Sequence, residues 1–226
     1  MDYQSGKVFR AASTIKLAVA CEVERQLEHG LLEPDQKIKV DTQTLVGGSG
    51  ILRLMLEDFV PTVRGMLCLM LVVSDNSATN FLIDLVGRSN VNRLMASEGL
   101  DGIHLVGKLM SRRRVRFNSA TPKDMAELVG RIYKGRIVSR KSSKRILNVL
   151  RFQQHTSMIP AGLPGWWVKC ANKPGALSDL RADVAVVWGN GFAYTISVFV
   201  RGFKDAFLGE SVIRDLSRLI YKEVVK

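Results

Sequence analysis

Acidic residues, cysteines and long apolar runs are all scarce in this chain, and each shortage excludes something. Across 226 residues there are 21 Asp+Glu against 33 Lys+Arg, a formal net charge of +12 with histidine neutral. Cysteine occurs three times, as Cys21, Cys68 and Cys170, and histidine three times, as His29, His104 and His155. At those spacings no C-x-x-C or H-x-x-x-H pattern can be drawn, so neither a metal site nor a bound cofactor is expected. An odd, sparse cysteine count gives no disulfide framework. Buried free thiols are the expectation, with a single bridge between two helices left open. The longest apolar run, 66–73, has eight residues, far from the roughly 20 a membrane-crossing helix needs, so no membrane span is expected. The opening Met1-Asp2-Tyr3-Gln4-Ser5-Gly6-Lys7 lacks the basic start, apolar stretch and small-residue cleavage site of an export signal.

The basic surplus raises nucleic acid as a partner. Its densest patches are Arg112-Arg113-Arg114-Val115-Arg116 and Arg140-Lys141-Ser142-Ser143-Lys144-Arg145. Neither carries aromatic interleaving, zinc-finger spacing or a stacking motif, so solvated basic faces are expected and no nucleic-acid partner. Charge of this kind steers anionic ligands or holds a protein near anionic polymers.

What the chain does have is apolar material: 46% hydrophobic and 24% charged residues suit a globular core. After a short strand at 7–10, residues 13–30 read as one helix, with Ile15, Val19, Val23 and Leu27 as its stripe and Gly30 as its stop. Residues 32–51 read as connection with a strand piece at 37–40, ending in Gly47-Gly48-Ser49-Gly50. Residues 62–73 are apolar nearly all round, which predicts a helix buried inside the domain. Further helices are predicted at 77–86, 90–98, 122–133 and 139–154, the third opened by Thr121-Pro122-Lys123-Asp124: a cap, a first-position proline and a first-turn acid. From 166 the texture becomes β-rich. Strands are predicted at 166–172, 183–188 and 192–201, the last two joined at Gly189-Asn190-Gly191. An amphipathic helix at 209–225 closes the chain, its apolar side given by Val212, Leu216, Leu219, Ile220 and Val224. The expected fold is α/β in the α+β sense, an antiparallel sheet flanked by helices plus an all-helical block. It is read as one unit over 1–226, with the helical block at about 13–160 and the sheet with its closing helix at about 166–226.

Three short elements carry chemistry. Ser13-Thr14-Ile15-Lys16 puts a hydroxyl and an amine one helical turn apart on one face, a nucleophile and a base if desolvation or positive neighbours lower the amine's pKa. The helix start adds N–H groups and a positive dipole that favour a developing oxyanion. Ser74-Asp75-Asn76, directly after the apolar run, reads as a helix end with the next helix's cap, and equally as a site element. Lys173-Pro174-Gly175-Ala176, on or just past the first strand of the meander, offers a lysine beside open backbone.

In this order the three elements resemble S-x-x-K, S-D-N and K-T-G of the penicillin-recognising serine hydrolases, most closely the class A β-lactamase family. Phe9-Arg10-Ala11-Ala12-Ser13, Gly48-Ser49-Gly50-Ile51-Leu52, Ser74-Asp75-Asn76-Ser77-Ala78-Thr79-Asn80 and Thr121-Pro122-Lys123-Asp124-Met125 extend the likeness over essentially the whole chain. The resemblance implies an acyl-enzyme on Ser13, with Lys16 as base and Ser74 relaying a proton to the leaving nitrogen. It implies that Asn76 bonds the substrate's side-chain amide and Lys173 attracts its carboxylate, while the N–H groups of Ser13 and Ala176, beside Gly175, form the oxyanion hole. Arg181, starting the next strand, is a further candidate for that carboxylate, with a plain surface arginine as its other reading. The implied partner is a small molecule, a β-lactam or related amide or ester.

Three departures stand out. Ser13 lies twelve residues from the first, where the family has an N-terminal helix and opening strands; the expectation is a shortened sheet, its edge exposed or covered by a second copy. Family members are usually exported, so the location stays open. Pro174 replaces the family's threonine, which removes a hydroxyl but suits an edge strand. Finally, class A enzymes deacylate with a glutamate after S-D-N, and between Leu100 and Pro122 the only acid is Asp101. Deacylation is therefore expected to be slow, since a general base is worth typically 10²–10⁴-fold. A peptidase or esterase of the penicillin-binding type, and a binding protein that is acylated without turnover, are the other readings.

Overall fold

A computed structural model describes residues 1–55, 59–111 and 117–225; the predicted basic patch Arg112 to Arg116 lies outside them. Two layers meet at one three-stranded antiparallel sheet. Strands β3 (Lys169–Leu177), β4 (Leu180–Gly189) and β5 (Phe192–Arg201) lie in that order. The N-terminal strand is two residues long, β1 (Phe9–Arg10), and pairs with β2 (Ser119–Ala120). Among the described residues no strand lies beside β5 on its other side.

Alternation along the strands sorts the two layers. Ala171, Val184 and Val186 face the helices and belong to the main core, while Ala185, Val187 and Ile196 face the C-terminal helix in a second, smaller one. At the centre of the main core is α1 (Lys16–Glu28), whose residues Lys16 to Glu24 are all buried. Packed against it are α2 (Val63–Val72), α3 (Asn76–Val86), α4 (Arg88–Ser97) and α6 (Arg140–Leu150), while α5 (Pro122–Lys134) lies over β4 and β5. Side-chain caps start most of these helices. Thr62, Asp75, Thr121 and Ser139 accept from the N–H groups of Gly65, Ala78, Asp124 and Ser142. At the other end of α5, Gly135 takes the left-handed conformation (φ 70°) that stops a helix.

Several sequence expectations shift. The helix predicted from 13 begins with a 3-10 turn over Ala12–Ile15 and becomes α only at Lys16. Of the strand piece at 37–40 only a bridge from Lys37 to Thr62 forms. Helix α2 buries one face, Val63, Met66, Leu67, Met70 and Leu71, and leaves Cys68, Leu69 and Val72 half-buried; apolar all round did not mean buried all round. The first meander strand starts three residues late and runs to Leu177, because Trp166 and Trp167 stand exposed on a loop and the lysine motif itself is strand. The closing helix, α7 (Ala206–Val224), buries Gly209, Ile213 and Ser217 and leaves Val212, Leu219 and Val224 exposed. Small residues set its contact with the 3-10 turn Pro160–Gly162: a Cβ on Gly162 would meet the Arg214 carbonyl at 2.3 Å and Ser217 Cβ at 2.7 Å. The three cysteines are free thiols. No helix among the described residues is long and apolar enough to cross a membrane.

Candidate active site

The sheet, the start of α1 and the α2–α3 turn converge on one buried polar cluster. Its hub is Ser74. The residue has a left-handed backbone (φ 56°), a conformation that L side chains rarely adopt and that clusters at functional sites. Its hydroxyl oxygen lies 3.0 Å from Lys16 Nζ and 3.0 Å from Lys173 Nζ. Lys16 also donates to the Ser74 carbonyl (2.6 Å) and to Asn76 Oδ1 (2.9 Å), and Lys173 to the Pro174 carbonyl (3.3 Å). Both lysines are fully buried, at 0% exposure. Burial and then the neighbouring Lys173 hold the Lys16 amine well below its ordinary value. Burial lowers Lys173 to about 7, against an opposing pull from Asp183. Two amines biased toward the neutral form thus share one hydroxyl.

Ser13 sits in the 3-10 turn one helical turn before Lys16, half-buried, its hydroxyl free of hydrogen bonds among the described residues. Ala12, preceding it, has φ 46°, a second strained position in the site. The turn is held by Thr14, whose N–H and hydroxyl both donate to the Ala11 carbonyl. Strand β3 passes directly over it. A Cβ on Gly175 would stand 3.0 Å from Ala12 Cβ and 3.1 Å from the Ser13 nitrogen, so glycine lets the strand and the Ser13 turn meet without either giving way. Pro174 pairs with Asp183 but has no N–H to give, so that is a non-hydrogen-bonded pair. Ala176, two residues on, therefore turns its N–H away from β4 toward the same open edge.

The Ser-Asp-Asn triplet is fixed by a glycine-rich loop. Asp75 accepts from Ala78 N as the cap of α3 and from the N–H groups of Ile51 and Leu52, each at 2.7 Å. Asn76 donates its side chain to the Gly47 carbonyl and its backbone N–H to the Ser49 carbonyl. A Cβ on Gly48 would lie 2.7 Å from Asn76 Nδ2, and one on Gly50 2.1 Å from Asp75 Oδ2; both glycines also have positive φ. Asn76 keeps one amide hydrogen uncommitted by these bonds.

Ser13, Lys16, Ser74, Asn76, Lys173, Gly175 and Ala176 gather here. Arg181 does not. It pairs with Ala176, whose side chain is on the α7 face, and its guanidinium is held by the carbonyls of Leu177 (2.6 Å) and Leu180 (3.1 Å), by Glu210 (3.2 Å) and over the Phe203 ring. Two supporting groups went unmarked in the sequence. Asp183 is fully buried behind Lys173; it accepts from Asn172 Nδ2 (3.0 Å) and Ile159 N (3.0 Å), and burial raises its carboxyl to about 7. A lone acid in Ala182-Asp183-Val184-Ala185-Val186-Val187 was its visible signal. Asn80, four residues after Asn76 and so on the same face of α3, clamps the backbone of Leu109 through both ends of its amide (2.7 and 3.1 Å).

A serine in a 3-10 turn, a buried lysine one turn on, and a second serine between two buried amines thus lie in one cluster. The sequence model of the Beta-lactamase enzyme family matches residues 1–224, and the chain belongs to that family. Among solved structures it is similar to a β-lactamase from Sphaerobacter thermophilus, with 29% identity, a TM-score of 0.95, and coverage of 100% of this chain and 87% of that one. It is also similar to PBP-A (26%, TM-score 0.87, 97% and 82%) and to a PBP-A mutant as the acyl-enzyme complex with penicillin G (25%, TM-score 0.88, 99% and 84%). No curated protein matches the chain.

Proposed function

We propose that this protein is a serine hydrolase that opens a β-lactam, or a related amide or ester, through an acyl-enzyme on Ser13, with deacylation slower than acylation. The observation that carries the reading is the convergence of two fully buried lysines on the Ser74 hydroxyl. A buried amine in its neutral form has a lone pair, so Lys16 takes the Ser13 proton as the hydroxyl attacks the carbonyl. The developing oxyanion is met by the outward N–H of Ala176 and that of Ser13. Ser74, bonded to both lysines, passes a proton to the leaving nitrogen, and Lys173 in its charged form attracts the substrate's carboxylate. No cofactor enters any step.

For the second half-reaction a water needs a base. Asp101 is exposed on a turn, and Leu109, the loop residue that Asn80 clamps, is apolar. This favours a second reading, a peptidase or esterase of the penicillin-binding type, which the likeness to PBP-A also supports.

The test is mass spectrometry of the intact protein with penicillin G alongside steady-state hydrolysis. The expected outcome is one adduct per chain, mapped to the Ser13 peptide and absent in Ser13→Ala, with a burst before slow turnover. Fast penicillin turnover without an accumulating adduct would overturn slow deacylation; a label elsewhere would overturn the assignment to Ser13. Preferential cleavage of a peptide or ester substrate would select the second reading.

A further inference from the structure

The charge of this chain is unevenly placed. Between Glu127 and Asp179 lie 51 residues with ten Lys or Arg and no acid. Most of the net charge of +12 comes from that stretch. Part of it builds one surface around Trp188, at the end of the sheet remote from the hairpin that joins β3 to β4. The Trp188 ring lies 5.5 Å from Tyr133, next to Lys134, and 6.0 Å from the Arg151 guanidinium. In the sheet Trp188 pairs with Lys169, which directly follows the uncharged loop Leu163-Pro164-Gly165-Trp166-Trp167-Val168. Lys134, Arg151 and Lys169 are exposed and have no ion pair among the described residues. The aromatic groups are exposed as well: Trp166 at 91%, Trp167 at 56% and Phe152, next to Arg151, at 68%.

Large exposed aromatics interleaved with unpaired cations fit a partner that is anionic at its surface and apolar beneath. We propose that this surface, centred on Trp166, Trp167, Phe152, Arg151, Lys169 and Lys134, docks the protein on an anionic lipid bilayer. Indole rings partition to the membrane interface, where the ring is buried and its N–H stays wet. Lysine and arginine stems follow them in while their charges meet lipid phosphates. A nucleic acid fits less well. The two indoles stand edge to face, with an interplanar angle of 80°, which offers no parallel platform for successive bases. The surface also leaves the cleft free, because Lys169 is four residues, about 13 Å along the strand, from Lys173.

The measurement is flotation of the full chain with phosphatidylcholine vesicles, with and without phosphatidylglycerol, together with tryptophan emission. Binding is expected only with the anionic lipid, with emission shifted to shorter wavelength and the bound fraction falling as salt is raised. The double variant Trp166→Ser, Trp167→Ser should bind about tenfold more weakly, and so should Lys134→Glu with Lys169→Glu. Acylation of Ser13 should be unchanged in both, which separates loss of docking from loss of fold. No binding to anionic vesicles at low salt would overturn the proposal. So would binding indifferent to the tryptophans, or complete competition by duplex DNA, since either reduces the surface to a nonspecific polyanion patch.

Discussion

At the scale of single residues, the chemistry is concentrated on one oxygen. Ser74 Oγ accepts from two amines that burial biases toward neutrality, so in the proposed reaction small changes in either lysine's protonation move the proton that Ser74 hands on. Ser13, Lys16, Ser74, Asn76 and Lys173, singled out by the resemblance to S-x-x-K, S-D-N and K-T-G, come together in the fold because each motif is short enough for one turn or strand to present it. Arg181 stayed open between two readings because which side of a sheet a residue faces depends on pairing, and pairing is not local. Leu109 was invisible for a similar reason: only Asn80, reaching from α3, shows which loop residue is brought to the site. The neighbouring Met110 lies against Gly48, beside Asn76, so the clamp faces the cleft. Leu109→Glu should therefore supply the missing base. The expected outcome is faster release of the penicillin adduct by at least about tenfold, the low end of what a general base contributes, with acylation little changed. Single-turnover decay of the adduct by mass spectrometry measures it, and an adduct as long-lived as the wild type's would show that Leu109 is not placed to serve.

Elements matter here through their ends. The start of α1 presents Ser13, the start of α3 presents Asn76, and β3 presents Lys173 and the Ala176 N–H at an open strand edge. Helices and strands were readable from periodicity, but the boundaries that place the site were less so. The 3-10 turn around Ser13 and the extension of β3 through Pro174 arise from strand pairing and from the glycine contact at 175, which periodicity does not encode. Asp75 joins two of these pieces. It caps α3 and holds the N–H groups of Ile51 and Leu52, and so seats the loop that in turn holds Asn76. Asp75→Ala removes a cap and strands two buried or half-buried N–H groups, for a loss of roughly 3 kcal/mol. Chemical denaturation should show that loss, together with a drop in acylation rate, because Asn76 and Ser74 lose their fixed neighbours. A variant equally stable and equally fast would mean that the loop is seated by other contacts.

For the molecule as a whole, the buried charges make stability depend on pH in a way that the surface charges, solvated and screened, do not. Asp183 and Lys173 lie on opposite faces of the same sheet, and each is displaced toward about 7, chiefly by burial. The two displacements act in opposite directions. A carboxyl raised from 3.8 to about 7 binds its proton more tightly in the folded state. Its stabilising contribution is complete below 3.8 and is lost as pH rises to about 7. An amine lowered from 10.5 to about 7 has the reverse slope, with its contribution complete above 10.5 and lost as pH falls to about 7. Together they put a local minimum of stability near neutrality. Asp183→Asn keeps an oxygen for the Ile159 N–H and removes the carboxyl's titration, and with it the acid-side limb, while Lys173 loses its opposing pull and is lowered further. The expected outcome is that the variant gains stability relative to wild type as pH is raised from about 4 to about 7, by up to about 4 kcal/mol for a shift of about three pH units. Melting temperatures of both proteins across that range measure the difference, and a constant gap between them would show that Asp183 stays ionised in its buried site.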